Sequence, residues 1–130
     1  MSGVAGWSPG TQVAETTLKP GSRVSMVVDA DTYALFRTSS PEARFGGWAT
    51  YDNVSSQAYA RNQLAITQNM KSNVGYVIRV EITRPVSAQV GVAGAQSGAA
   101  GGGNQLHFVV PLNERSTTFK YVANSGRALP

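Results

Sequence analysis

The chain has 130 residues, 42% of them hydrophobic and 14% charged, with 14 glycines, no cysteine and a formal charge of +4. That length suits one domain with a real core, and high glycine with low charge favours a turn-rich β protein over a helical bundle. Disulfides, thiol nucleophiles and cysteine-held metals are excluded, and a lone histidine, His107, does not make a His-rich zinc site, so no metal is expected.

The basic residues are scattered along the chain. A nucleic-acid binder concentrates them on one face or in one run, so nucleic acid is not the expected partner. A mild positive charge suits a small anionic ligand such as a pyrophosphate. No apolar run approaches the ~18 residues of a spanning helix, and no basic-then-apolar signal opens the chain.

Residues 1–22 read as a lead-in, broken by glycine and proline, with Trp7 as its anchor to the body. Residues 23–130 read as a single domain. A short strand is expected over 24–28, interrupted at Asp29, and a second over 32–38, rich in β formers and carrying Phe36 and Arg37. In Arg44-Phe45-Gly46-Gly47-Trp48-Ala49-Thr50, two aromatics flank a glycine pair. Rings there offer flat faces, and the glycines let backbone approach a ligand.

Asp52 or Asn53 is a fitting N-cap for a helix over 54–68, with Arg61 at its edge. The clearest strand is 74–83, where Tyr76, Ile78, Val80 and Ile82 alternate with Arg79 and Glu81. Another strand is expected over 86–93. The Gly/Ala-rich stretch 94–103 reads as a mobile loop. From Gln105 the residues alternate again: Leu106, Phe108 and Val110 to one side, Gln105, His107 and Val109 to the other. A loop thus delivers the neutral amide of Gln105 to the start of a strand, a place where rigid elements aim functional groups. A turn at 113–116 and a last strand over 117–122 follow. The sum is about six or seven strands and one main helix, an α+β arrangement.

Paired carboxylates with hydrolase-like spacing and a Walker phosphate loop are both absent from the sequence. What remains is an arginine on an early strand, an aromatic/glycine turn, a helix, and a polar residue opening a late strand. That order, with Phe36-Arg37, Gly46-Gly47-Trp48-Ala49-Thr50, Arg84-Pro85 followed by Gly91, and Gly101-Gly102-Gly103-Asn104-Gln105-Leu106 closed by Pro111, resembles the NAD glycohydrolase branch named for the tuberculosis necrotizing toxin. The resemblance covers roughly residues 32–111. Asn104 stands where that family has threonine, and Leu106 where it has an aromatic.

The resemblance implies an ADP-ribosyltransferase-like fold of two small packed antiparallel sheets and cleavage of the nicotinamide–ribose bond of NAD+ or NADP+, with no further cofactor. It implies Gln105 and Arg37 as catalytic residues, Gln105 on the ribose hydroxyls and Arg37 on the pyrophosphate. Phe36, Phe45, Gly46, Gly47, Trp48, Thr50 and Arg61 are the implied substrate-binding set, with either Phe45 or Trp48 stacked on nicotinamide. It further implies a toxin delivered into a target-cell cytosol and an immunity protein that occludes the cleft. A mono-ADP-ribosyltransferase of the same fold is the first alternative, and a ribonuclease or RNA-binding toxin the second.

Overall fold

A computed structural model describes residues 12–64, 66, 73–94 and 101–130. Trp7, the last residues of the expected helix and residues 95–100 of the glycine-rich loop lie outside the described residues.

Two antiparallel sheets face each other across one core. In the first, β1 (Val13–Leu18), β5 (Val86–Val92), β6 (Asn104–Phe108) and β3 (Trp48–Ala49) lie side by side in that order. The second runs β2 (Arg23–Val28), β4 (Tyr76–Ile82), β7 (Phe119–Tyr121), with β8 (Arg127–Ala128) also on β4. Period-two alternation dictates the packing. Val24, Met26, Ile78, Val80 and Ile82 of the second sheet meet Leu18, Ala88, Leu106 and Phe108 of the first, all buried. The reverse face of the second sheet packs Val77 on Val54, Ala60, Leu64, Val74 and Leu129. No helix among the described residues is long and apolar enough to cross a membrane.

Four elements depart from the sequence expectation. Part of the lead-in, Val13–Leu18, is a full edge strand paired with β5. The expected strand at 32–38 is a helix, α1 (Ala30–Arg37). Asp29, read as a strand breaker, is its N-cap, accepting from the Thr32 amide at 2.7 Å. Its far end closes as a Schellman motif: Ser39 adopts a left-handed φ of 57°, Ser39 N–H bonds Phe36 O and Ser40 N–H bonds Leu35 O. Tyr33 and Phe36, three apart, give the face turned to the core. β propensity was outweighed here by two local caps and tertiary packing.

The helix expected over 54–68 is a shorter α2 (Gln57–Asn62), capped by Ser56 rather than by Asp52 or Asn53. The expected turn at 113–116 is a 3-10 turn (Leu112–Glu114) running into α3 (Arg115–Thr118). The described chain therefore has three short helices rather than one main helix.

Candidate active site

β2 and β3 are edge strands of opposite sheets, and Ser25 of β2 and Thr50, the residue after β3, exchange N–H···O bonds of 2.9 Å in both directions. Along this seam lies a cavity of about 370 Å³. Its walls are β2 from Ser25 to Val28, Thr32 of α1, the 44–50 segment, Leu64, Ile66, Gln105, Leu112 and Arg115. The volume is that of a small-ligand pocket.

Gln105 reaches this cavity because of what precedes it. Gly101 N–H bonds Asn62 O (2.8 Å), Gly103 N–H bonds Gln63 O (2.9 Å), and Gln105 Nε2 donates to Leu64 O (3.0 Å). Three successive carbonyls at the end of α2, groups with no partner inside the helix, are thus capped by residues 101–105. Close approach requires glycine: a Cβ on Gly103 would stand 2.8 Å from Leu64 Cδ2 and 3.0 Å from Gln63 O, and Gly102 has φ +101°. The 101–103 part of the expected mobile loop is therefore docked backbone. With Nε2 committed, Gln105 Oε1 has no partner among the described residues.

The residue before Gln105 is held as firmly. Asp52 accepts from the Asn104 amide N–H (2.9 Å), from Asn104 Nδ2 (3.0 Å) and from the Tyr59 hydroxyl (2.6 Å). Thr50 Oγ1 donates to Asn104 O at 2.6 Å. Burial raises the Asp52 pKa, but the bonds from Tyr59 and from the Asn104 side chain and backbone outweigh it, leaving the carboxyl below its ordinary value. The same bond, with burial and the carboxylate's charge, pushes the Tyr59 hydroxyl up to about 12.

Across β3, Trp48 stacks on His107, with ring centroids 4.3 Å apart and planes 22° apart. His107 Nδ1 lies 3.1 Å from Gln89 Oε1, so with the amide oxygen accepting, the imidazole carries its proton on Nδ1. His107 attends Trp48 and Gln89 rather than Gln105. Burial lowers its pKa, and the Arg115 charge lowers it further. Arg115 opens α3, donates from Nη1 to Phe45 O (3.1 Å), and has a buried Nε–H with no partner among the described residues. Glycine at 47 makes room for it: a Cβ there would meet Arg115 Nη2 at 3.1 Å.

Of the residues singled out from the sequence, the cavity brings together Gln105, Phe45, Gly46, Gly47, Trp48 and Thr50. It does not include Arg37, Phe36 or Arg61 among its lining. Once α1 is a helix, Phe36 points into the core, 4.8 Å from the Phe45 ring. Arg37 lies over Tyr33, 5.8 Å from the ring centre, and lines a separate hollow with Ser39, Tyr121 and Asn124. Arg61 Nη1 donates to Ile66 O (3.3 Å), bracing main chain at the cavity wall. The lining cations are Arg44 and Arg115. Arg115 escaped the sequence reading because its turn lies beyond the resemblance; the sole clue was a basic residue following the Pro111 turn. Asp52, one of the two expected helix caps, instead holds Asn104 and the Tyr59 hydroxyl.

No protein-family model matches the chain, and no curated protein matches it. Solved structures do. The structure of Tne2 in complex with Tni2 matches with a TM-score of 0.82 and 34% identity, over 95% of this chain and 98% of that one. Two more distant structures share the fold: Rhs1-CT in complex with its cognate immunity protein RhsI1 (TM-score 0.65, 16% identity, 90% and 81% covered) and Tse6 in complex with Tsi6 (TM-score 0.55, 18% identity, 92% and 77% covered). The fold and these matches define a small α+β domain of the interbacterial-toxin class. Within that class, the chain belongs to the family of Tne2.

Proposed function

We propose that this domain is an NAD(P)+ glycohydrolase toxin, built on the ADP-ribosyltransferase-like arrangement that its motifs resemble. The observation that carries the reading is the single cavity lined by Gln105, Trp48, Arg44 and Arg115. Its size suits the nicotinamide–ribose half of a dinucleotide, with the remainder lying outward over the arginines.

In this reading Trp48, held flat by His107, receives the nicotinamide ring. Arg115 and Arg44 hold the pyrophosphate, for which a guanidinium fork is apt. Gln105 Oε1 accepts from a ribose hydroxyl and stabilises the positive charge that develops as the C1′–N bond lengthens. The bonding electrons leave with nicotinamide, which departs neutral. Water adds at C1′ and loses its proton to solvent, giving ADP-ribose. Positioning and electrostatics suffice, because the leaving group needs no protonation.

The toxic act is depletion of NAD in the cytosol of a target cell. The expected partner is an immunity protein that blocks the cleft, as the partnered neighbours suggest. Incubation with NAD+ tests the reading: nicotinamide and free ADP-ribose accumulate together, whereas label retained on a macromolecule indicates a transferase instead.

A further inference from the structure

Asp52 does not line the cavity, is not the cap of α2 and has no cationic partner among the described residues. Its carboxylate is nonetheless fully engaged. One oxygen takes the Tyr59 hydroxyl and the Asn104 backbone N–H, and the other takes Asn104 Nδ2. Thr50, 2% exposed, donates to Asn104 O and accepts from the Asp52 N–H at 2.9 Å. Backbone N–H, backbone carbonyl and side-chain amide of Asn104 are thereby tied to the 50–52 turn. On its other side Asn104 pairs only with Val92, the last residue of β5. β3 ends at Ala49, so no ladder holds the start of β6 on the cleft side. The Thr50–Asp52–Asn104 set does the work of the missing ladder. It also joins the start of β6 to α2 through Tyr59, the same helix whose end receives Gln105 Nε2 at Leu64.

We propose that Asp52 is a positioning residue, which sets the Gln105 side chain through Asn104; the inference rests on the reading of Gln105 as catalytic. A side chain placed within about half an ångström needs support of this kind, and misplacement of about 1 Å costs up to about a hundredfold in rate. Asn104 thereby acquires a chemical reason for its identity: it offers the carboxylate a second N–H donor, which threonine at that position cannot supply in the same form.

The test uses the full chain carrying Asp52→Asn, with two readouts. The first is solvent exchange of the Gln105 side-chain amide by NMR, its signal assigned by its loss in Gln105→Ala. The second is steady-state cleavage of NAD+. Expected are amide exchange faster by about tenfold and kcat lower by about tenfold to a hundredfold, with KM within about twofold of the parent. If Asp52→Asn does not fold, Asn104→Ala removes one donor from the carboxylate and shows the same changes at smaller size. Unchanged Gln105 exchange in a folded variant overturns the inference whatever happens to kcat. Faster exchange with full kcat overturns it too. A parent protein that leaves NAD+ intact, with Gln105 still loosened in the variant, defeats the glycohydrolase reading while the positioning of Gln105 by Asp52 stands.

Discussion

Gln105 donates its side-chain N–H to the carbonyl of Leu64 across 3.0 Å, so the residue proposed to act on the ribose is also the last donor capping α2. An amide does both jobs because it donates from nitrogen while accepting at oxygen. Gln105→Ala is expected to lower kcat by about a hundredfold or more, at about 1 kcal/mol in stability for the lost cap bond. Gln105→Glu is the sharper variant. A carboxylate cannot donate to Leu64 O, so it should melt below Gln105→Ala at pH 7 and recover as the glutamate protonates. Thermal melts at pH 7 and pH 4 check this.

The two arginine positions separate the sequence reading from the structure. Arg115→Ala is expected to raise KM for NAD+ by about tenfold or more, the scale of a charge-assisted bond to phosphate. Arg115→Lys restores only part of this, because a point charge does not replace the fork. Arg37→Ala, whose side chain lies over Tyr33 away from the cavity, leaves KM within about twofold of the parent. Steady-state kinetics on the three variants decides the matter.

Gly103→Ala is expected to destabilise by about 1–3 kcal/mol through overpacking, since its Cβ meets the Gln63 carbonyl at 3.0 Å and Leu64 Cδ2 at 2.8 Å. Gly46→Ala has open space within 4 Å and should leave the denaturant midpoint unchanged. Equal midpoints for the two variants would contradict the docking of residues 101–103 on α2.

β4 was legible in the chain because its alternation survives in the sheet: Ile78, Val80 and Ile82 are buried as their spacing predicts. Gln105 was legible for a related reason, as a polar residue opening an alternating run behind glycines. α1 was not, because Thr32, Tyr33 and Phe36 have β propensity and the deciding caps, Asp29 and the Ser39–Ser40 turn, read equally as breakers. Arg37 entered the expected site through the motif resemblance, and as the last residue of α1 it lines a separate hollow beside Tyr33. Arg115 and Asp52 were hidden because their roles depend on contacts with residues about 50 to 70 positions away, which no local pattern encodes.

The Asp52–Tyr59 bond gives stability a window in pH. The Asp52 carboxyl is lowered in the fold, so its contribution is complete above the unfolded carboxylate value near ~3.9 and is lost as pH falls through the folded value. The Tyr59 hydroxyl is raised to about 12, so its contribution is complete below the unfolded value and is lost as pH rises toward 12. The difference in Tm between the parent and Tyr59→Phe should be flat from about pH 4 to pH 10 and shrink beyond either end. His107 adds a slope in between: lowered by burial and by Arg115, it makes the fold lose stability as pH falls below its unfolded value near ~6.5.

The most direct measurement follows NAD+, nicotinamide and ADP-ribose together in one incubation of the purified chain, with Gln105→Ala alongside. Nicotinamide and free ADP-ribose rising in equal amounts in the parent, with neither rising in the variant, is the predicted result. NAD+ that persists in the parent, or ADP-ribose that ends on a macromolecule, contradicts it.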